Sequence, residues 1–421
     1  MPTIRHQNRV AVLNILLRYG PLSRREICKI TRLTPASITN IVGELLDTGL
    51  ALEMGSRHDP NGRRLGRPQV IVDLNPGGAF AVGVHLGVRT ARVGLGDLKG
   101  NILKQIGFSL HLGDDSQVVL QSVAGAVSTV IQEGGIDPRR LLGVGVGCAG
   151  LVDPKAGVLR KMYHHGWQDV AVADRLGSAL QLPVAVENNR NAMAMAESTF
   201  GQAQKVEEFI VVHVGTTVGS GIVIDHRVHH GRNDAAGQIG HLVLEPGGPL
   251  CTCGQRGCLD TLASEAAILH RSLQLAEGKP SSSLARLLRQ AGDSPGVGLV
   301  FDAARQGDRD ARAVIAEAAQ YLGSAIGHLV RIFSPEMVIL EGPIFDLGDL
   351  VIEPIEQSAL SQAAQSLGVS TRLVRTCFGS DLMVVGGVSL ALLRFLYAAE
   401  PGDWSHEIRG LTASGLSARL R

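Results

Sequence analysis

Three cysteines and a histidine lie within the twenty residues from His241 to Asp260, HLVLEPGGPLCTCGQRGCLD. The chain of 421 residues has six cysteines in all, and this stretch follows the pattern H-x9-C-x-C-x4-C. The first residues, MPTIRHQNRV, are polar and basic and do not lead into an apolar secretory segment, so we expect a cytoplasmic protein with reduced thiols. In that compartment, clustered thiolates beside an imidazole indicate a metal-binding site.

Charge is distributed unevenly along the chain. The first 70 residues contain eleven Lys and Arg against five Asp and Glu, a net charge of +6, whereas the whole chain carries +1. A basic head on a slightly acidic body predicts a polyanionic partner for the head, although a solvated basic face is the alternative. Long apolar runs are interrupted by charges or glycines, so no membrane partner is expected.

Three helices are predicted in this head. The apolar spacing in residues 7–19 is typical of an amphipathic helix. Ser23 and Glu26 form a capping box that opens a second helix. Thr34 as N-cap and Pro35 as first helical residue open a third.

The second and third helices, with the turn between them, predict a helix-turn-helix whose third helix reads DNA. The candidate DNA-binding residues here are Arg32, Ser37, Thr39 and Asn40. Asn40 has the amide that pairs with adenine in the major groove. A small helical bundle that binds a protein is the alternative.

Two strand-like segments, LALEM and QVIVDL, flank the basic stretch GSRHDPNGRRLGRP. A hairpin at this place is a wing, and Arg63, Arg64 and Arg67 at its tip would suit a narrow minor groove. A disordered basic linker is the alternative. We therefore assign residues 1–75 as a winged helix-turn-helix DNA-binding domain, called the head below.

Strand and helix signals alternate after residue 75, which predicts an α/β body. Buried strands are indicated by FAVGVHL, ARVGLGDL, LLGVGVGCAG, PVAVEN, EFIVVHVG and MVILEG. Helices are predicted at about 116–132, 191–200, 308–333 and 380–398. Two Gly-rich turns, in VGVHLGVRTARVGL and VVHVGTTVGSGIVI, are of the kind that holds phosphate, and together they suggest two lobes around a cleft.

Three passages of the body resemble the ROK family of repressors, open reading frames and sugar kinases. They are VGTTVGSGIVI, VENNRNAMAMAE and GQIGHLVLEPGGPLCTCGQRGCLD, and the resemblance covers about residues 78–398. It implies an actin-like, two-lobed sugar-kinase fold. Lobe 1 would be 76–200, completed by the helix at about 380–398, lobe 2 would be 201–379, and 399–421 would be a tail. With the head in front, the chain is similar to the repressor branch, which includes the xylose and N-acetylglucosamine repressors.

The resemblance also implies the metal. The last passage is similar to the zinc signature of the family, with His241, Cys251, Cys253 and Cys258 as ligands. Four protein ligands close a tetrahedral site and leave no position for a catalytic water, so we expect structural Zn²⁺.

The matching positions argue against kinase activity. ROK kinases begin with Asp-x-Gly-Gly-Thr, and this chain has His85-Leu86-Gly87-Val88-Arg89. Their catalytic Glu-Asn-Asp is Glu187-Asn188-Asn189 here, and an amide cannot take the proton of a sugar hydroxyl. Losing general-base catalysis costs roughly 10²- to 10⁴-fold in rate. We expect no enzymatic activity.

An amide-rich pocket can still bind sugar hydroxyls, which need both donors and acceptors. The resemblance implies the effector-binding residues Gly150, Asn188, Asn189, Gln238, His241 and Asp260. We expect a sugar-responsive repressor that binds double-stranded operator DNA as a homodimer or dimer of dimers, with a sugar or sugar derivative in the inter-lobe cleft. A weak or relic ATP-dependent sugar kinase with a regulatory head is the runner-up, and a constitutive DNA-binding protein is a third possibility.

Overall fold

A computed structural model of the chain describes residues 4–57, 69–292, 295–367 and 370–397. These residues include thirteen α-helices and sixteen β-strands. The helices are α1 (Ile4–Tyr19), α2 (Arg24–Thr31), α3 (Pro35–Asp47), α4 (Ser116–Glu133), α5 (Val172–Leu180), α6 (Asn189–Thr199), α7 (Asp260–Ala263), α8 (Glu265–Gly278), α9 (Ser283–Gln290), α10 (Val297–Arg305), α11 (Arg309–Phe333), α12 (Asp349–Leu367) and α13 (Leu382–Leu392). The strands are β1 (Leu22–Ser23), β2 (Ala51–Arg57), β3 (Gln69–Leu74), β4 (Phe80–Leu86), β5 (Thr90–Asp97), β6 (Ile102–Ser109), β7 (Leu141–Cys148), β8 (Leu151–Asp153), β9 (Val158–Met162), β10 (Trp167–Val170), β11 (Val184–Asn188), β12 (Phe209–Val214), β13 (Val218–Ile224), β14 (Arg227–Val228), β15 (Met337–Glu341) and β16 (Arg372–Arg375).

The chain divides into two compact units. Within the described residues, unit 1 comprises 4–205 and 381–397, and unit 2 comprises 206–380. The head therefore belongs to the same unit as the first part of the body and the C-terminal helix.

The helix starts in the head follow from its capping residues. Ser23 accepts a hydrogen bond from the backbone N–H of Glu26, and the Glu26 carboxylate accepts one from the N–H of Ser23, so the predicted capping box is confirmed. Thr34 caps α3 through the N–H of Ser37. The three head strands form a sheet in the order β1-β3-β2.

Each unit contains a five-stranded mixed sheet, called sheet 1 and sheet 2. Sheet 1 has the order β11-β7-β4-β5-β6 and sheet 2 the order β14-β13-β12-β15-β16. In both, the central strand (β4 or β12) pairs in parallel with one neighbour and antiparallel with the other. The two sheets thus repeat one topology, and the predicted α/β fold is confirmed. We call the side of each sheet where its parallel strands end the carboxyl edge.

α13 packs on sheet 1 with almost no space between the backbones. A Cβ on Gly145 would lie 2.0 Å from the carbonyl oxygen of Gly387, and one on Gly83 would lie 2.1 Å from that of Val384. The stretch Gly379–Tyr397 has the length and mean hydropathy (1.5) of a membrane span, but the residues of α13 are nearly all buried in unit 1. It is a core helix.

Several elements were absent from the sequence prediction. The strand β6 has only half-buried and exposed positions without strict alternation, and β8, β9 and β10 have three to five residues each. The predicted last helix is also shorter than expected, because α13 ends at Leu392 and the chain continues as a π-helical turn, Leu393–Tyr397.

Candidate functional site

The four predicted metal ligands lie together in unit 2. Their ligand atoms all fall within 4.8 Å of one another, with 3.5 Å between Cys251 Sγ and His241 Nδ1 and 3.7 Å between Cys253 Sγ and Cys258 Sγ. A tetrahedral zinc ion with Zn–S bonds of ~2.3 Å requires S···S separations of about 3.8 Å. The donor set and spacing therefore fit a four-coordinate thiolate-preferring metal such as zinc.

Glycines shape the loop that carries the thiols. Gly254 and Gly257 have φ of +91° and +72°, in the left-handed region that favours glycine. A Cβ on Gly257 would lie 1.6 Å from the carbonyl oxygen of Glu245, so another residue cannot occupy this position without moving the backbone. The loop is closed by the N–H of Cys251, which donates to the carbonyl of Gln255 at 2.8 Å.

The thiols differ in acidity when no metal is bound. Burial raises the pKa of Cys258 to about 12 and also raises that of Cys251, whereas the N–H of Gln255 lowers the pKa of Cys253. Because metals bind thiolates, occupation of this site releases protons.

The metal loop is tied to the other effector candidates of unit 2. Asp260 starts α7, directly after the loop, and its Oδ1 accepts a hydrogen bond of 2.7 Å from the N–H of Val218. A Cβ on Gly240 would lie 2.4 Å from the carbonyl oxygen of Val218 and 3.5 Å from Cβ of Asp260. His241 and Asp260 are thereby fixed against the start of β13, and half-buried Gln238 precedes the 3₁₀ turn that carries His241.

The effector candidates of unit 1 lie at the carboxyl edge of sheet 1. Asn188 caps α6: its Oδ1 accepts from the N–H of Arg190 at 2.9 Å, and its Nδ2 donates to the carbonyl of Gly150 at 2.7 Å. The Asn188 amide is therefore committed to local structure. Asn189 is 4% exposed, and its Oδ1 has no hydrogen-bond partner among the described residues.

An acidic group that sequence reasoning missed lies at the carboxyl edge of sheet 2. His213 Nδ1 forms a buried hydrogen bond with the carboxyl group of Glu341, because the two residues are register partners on β12 and β15. Glu265 lies beside them. Burial raises its pKa, His213 partly opposes this rise, and Glu341 adds to it. The backbone of Glu265 donates to the carbonyl of Gly215, within the second Gly-rich turn. Two carboxylates thus flank a turn of the kind that holds phosphate. The pairing of strands distant in sequence is what brings them together, so no local signal could have found them.

The predicted DNA-binding residues that can be described lie at or just before the start of α3. Arg32, Thr39 and Asn40 are exposed. Ser37 is half-buried, and its hydroxyl is hydrogen-bonded to that of Thr34 at 2.9 Å. The remaining three, Arg63, Arg64 and Arg67, lie outside the described residues.

Comparison with known proteins identifies the family. Residues 81–393 match the model of the ROK family, and the chain therefore belongs to that family. The chain is 30% identical to the DNA-binding transcriptional dual regulator NagC of Escherichia coli K12, over 89% of each chain. It is 29% identical to the xylose repressor of Caldicellulosiruptor bescii, over 83% of this chain and 86% of that one. The predicted resemblance to these repressors is confirmed.

Two solved structures of ROK proteins are similar to this chain. A ROK family transcriptional regulator, described as a homologue of the E. coli MLC protein, has a TM-score of 0.74 and 29% identity over 92% of this chain and 96% of its own. A ROK glucokinase from Streptomyces griseus, in complex with glucose and AMPPNP, has a TM-score of 0.66 and 29% identity over 74% of this chain and 99% of its own. The regulator matches 92% of this chain, whereas the kinase matches 74%.

Proposed function

We propose that this chain is a sugar-responsive transcription regulator, a repressor without kinase activity. The observation that carries the proposal is one shared hydrophobic core. Leu16 and Leu45 of the head belong to the same buried cluster as Val388 and Leu392 of the C-terminal helix. A DNA reader and a ROK body that share a core can exchange a conformational signal.

The head supports the DNA-binding part of the proposal. The order α1-β1-α2-α3-β2-β3, with β1 pairing β3, is that of a winged helix-turn-helix, and α3 would be its recognition helix. Asn40 is exposed in the second turn of α3, the helix that meets base edges in such complexes. The arginines of the 58–68 segment would add contacts in the minor groove.

The carboxyl edge of sheet 1 supports sugar binding. In open α/β sheets, ligands bind at the carboxyl ends of parallel strands. The buried Oδ1 of Asn189, unpaired among the described residues, is an acceptor that a sugar hydroxyl can satisfy. We infer an effector-binding set of Gly150, Asn188, Asn189, Gln238, His241 and Asp260. Asn188 holds Gly150 in place, so its contribution is one of positioning.

Two features support the absence of kinase activity. Asn189 replaces the catalytic base of ROK kinases, and the acidic side chains of Glu341 and Glu265 flank the second Gly-rich turn. A polyphosphate there would lie beside the carboxyl group of Glu341 in a partly desolvated place, where like charges repel more strongly than in water.

A path for the signal exists within unit 1. α6, whose first residue is Asn189, packs against α13 so closely that a Cβ on Gly386 would lie 2.8 Å from the carbonyl carbon of Ala192. The segment after α13 meets the head, where Asn14 Nδ2 donates to the carbonyl of Tyr397 at 3.4 Å. To release DNA, the sugar must bind the non-operator state more tightly, typically by about 1–3 kcal/mol.

We further propose that His241, Cys251, Cys253 and Cys258 hold structural Zn²⁺. With the metal on His241 Nδ1, the ring's Nε2 stays available for a hydrogen bond to the effector. The protein would act in the cytoplasm as a homodimer or dimer of dimers, because a two-fold assembly reads an inverted-repeat operator.

The decisive experiment is fluorescence anisotropy on DNA from upstream of the protein's own gene, at fixed salt, with a panel of sugars and sugar phosphates. Specific binding that one sugar releases is the expected result. The variant Asn40→Ala should weaken specific binding by about 1–3 kcal/mol. Gln121→Ala, an exposed amide on α4, is its control. Specific binding that no sugar alters would instead indicate a constitutive DNA-binding protein.

The similarity to the S. griseus glucokinase keeps one second candidate, a relic sugar kinase with a regulatory head. Hexose-dependent release of ADP from ATP would favour it. Absence of ADP release together with sugar-dependent DNA binding would reject it.

A further inference from the structure

His165 is a buried histidine with one unsatisfied nitrogen. It lies between β9 and β10 and is 7% exposed. Its Nε2 is 2.8 Å from the carbonyl oxygen of Val88, and its Nδ1 has no hydrogen-bond partner among the described residues. Because a carbonyl only accepts, Nε2 carries the hydrogen, and Nδ1 of the neutral ring is an acceptor. A buried acceptor without a donor is rare and calls for a missing partner.

The position of this nitrogen connects it to the carboxyl edge of sheet 1. Leu86, Cys148 and Asn188 are register partners at the ends of β4, β7 and β11. Val88 lies two residues after the end of β4, and its carbonyl oxygen accepts the hydrogen bond from His165 Nε2. The β9–β10 hairpin therefore covers this edge next to the first Gly-rich turn.

The hairpin also meets the edge from its other side. A Cβ on Gly150 would lie 2.2 Å from the carbonyl oxygen of Lys161, and Gly150 itself accepts from Asn188. The N–H of His165 donates to the carbonyl of Met162 at 3.3 Å. The β9–β10 hairpin is therefore held at two points. It contacts Gly150, which is hydrogen-bonded to Asn188, and His165 joins it to Val88 after β4.

Two buried acceptors belong to these residues or follow them directly in the chain, His165 Nδ1 and Asn189 Oδ1. With Nε2 donating to Val88, each of these atoms is placed to accept a hydrogen. A polyol supplies hydroxyl donors without bringing charge, whereas an anion brings only acceptors, so these two buried acceptors suit a polyol better.

We propose that His165 is a specificity-determining effector contact, whose Nδ1 accepts a hydrogen bond from a hydroxyl of a neutral sugar. This inference rests on the proposed sugar-sensor function and adds a residue outside the predicted effector set. The hydrogen bond from Nε2 to Val88 fixes the ring, and a tilted contact with Trp167, with ring centroids 4.9 Å apart and planes at 42°, limits its rotation.

Two substitutions separate the roles of the two ring nitrogens. His165→Gln retains a donor near the position of Nε2 and loses the acceptor at Nδ1. His165→Asn retains an acceptor near Nδ1 and loses the Nε2 anchor. We expect sugar affinity to fall roughly 2- to 10-fold in the Gln variant, the value of one neutral hydrogen bond, and to fall less in the Asn variant.

Trp167 provides the readout, in a Trp404→Phe background that removes the other tryptophan. Xylose, N-acetylglucosamine, glucose and their phosphates are titrated by fluorescence and calorimetry, followed by deoxy analogues of the sugar that binds. One hydroxyl should matter to the wild type and not to His165→Gln. Wild-type affinity in the Gln variant, for the sugar and for every deoxy analogue, would overturn the assignment while leaving the sensor function intact.

Two controls keep the outcomes distinct. Operator affinity without sugar should be unchanged in His165→Gln, which shows that the head and its core are folded. If that variant does not fold, the wild-type chain still decides the question: the ¹⁵N resonance of His165 Nδ1 should move on sugar binding, and a stationary resonance rejects the contact. Failure of every sugar to bind the wild-type chain would overturn the proposed function and this inference together.

Discussion

Sheets 1 and 2 share the pattern His-x-Gly at the end of their central strands, as His85-Leu86-Gly87 and His213-Val214-Gly215. In both, the imidazole lies against the following glycine: a Cβ would be 2.6 Å from Nε2 of His85 and 2.7 Å from Nε2 of His213. The parallel neighbour differs. His85 faces Gly147 in register, whereas His213 faces Glu341.

One residue on the neighbouring strand therefore changes the chemistry of the edge. At sheet 2 Glu341 is hydrogen-bonded to His213 and, with Glu265, places acidic side chains beside the Gly-rich turn. At sheet 1 the acceptors without a partner among the described residues include Asn189 Oδ1 and His165 Nδ1. Under the proposed function, the edge of sheet 1 is suited to hydroxyls and the edge of sheet 2 is unsuited to phosphate. The two units are also stabilised by different features. In unit 1, α13 packs on sheet 1 through glycines, whereas unit 2 contains the metal loop.

The largest effect is expected from breaking the metal loop. Cys253→Ser should abolish zinc binding and lower the stability of unit 2. Structural zinc sites bind with apparent free energies on the order of 10 kcal/mol, so even partial loss should cost about 3 kcal/mol or more. Metal content by mass spectrometry and thermal melting measure both effects. Cys377→Ser, an exposed cysteine of the same unit outside the cluster, should change neither. Wild-type melting in a zinc-free Cys253→Ser protein would remove the structural role of the metal.

The glycine contact of unit 1 should give the next largest effect. Gly386→Ala places a Cβ 2.8–3.1 Å from the backbone of Ala192 and Met193, and such overpacking costs about 1–3 kcal/mol. Gly125→Ala is the matched control, because its Cβ on α4 meets nothing within 4 Å and alanine favours helix by up to about 1 kcal/mol. Urea unfolding should therefore show opposite signs for one substitution at two helical sites. Equal signs would contradict a tight contact between α6 and α13. The sugar response should shift in Gly386→Ala alone.

These two regions also show how far the sequence could predict the molecule. The metal loop is local, so the spacing of Cys251, Cys253 and Cys258 was enough to identify it. The capping box of α2 and the N-cap of α3 are local in the same way, and both were predicted correctly. The Glu341–His213 pair and the His165–Val88 hydrogen bond join residues more than 75 positions apart. They depend on strand register and on the β9–β10 hairpin, whose short strands have no periodicity long enough to detect. The sequence therefore predicts the sites that one segment forms by itself. It does not predict the sites that arise when strands distant in sequence pair.

A smaller effect is expected at the acidic edge of sheet 2. Burial raises the pKa of Glu265, so the fold favours its protonated form. The associated stability is present below the ordinary pKa of a glutamate and is lost as pH rises through the folded value. Glu265→Gln removes this dependence and should be modestly more stable than the wild type at pH 7, with the difference vanishing towards pH 4. Melting temperature as a function of pH measures it. Glu277→Gln, an exposed acid on the same helix, should leave the pH profile unchanged.

The smallest effect is expected on kinase activity when the acidic residue of the ROK kinases is restored. Asn189→Asp restores a carboxylate at the position of the catalytic base, yet the carboxylates of Glu341 and Glu265 stay beside the phosphate-type turn. General-base catalysis accelerates only a substrate that is bound, so we expect no sugar-dependent ADP release from this variant. Coupled-enzyme assays with millimolar ATP measure it, and a ROK glucokinase serves as the positive control. The introduced carboxylate would be buried, since Asn189 is 4% exposed, so a lower melting temperature is expected. Appreciable turnover would show that sheet 2 still accepts nucleotide, and the chemical difference between the two edges would then lie in the base alone.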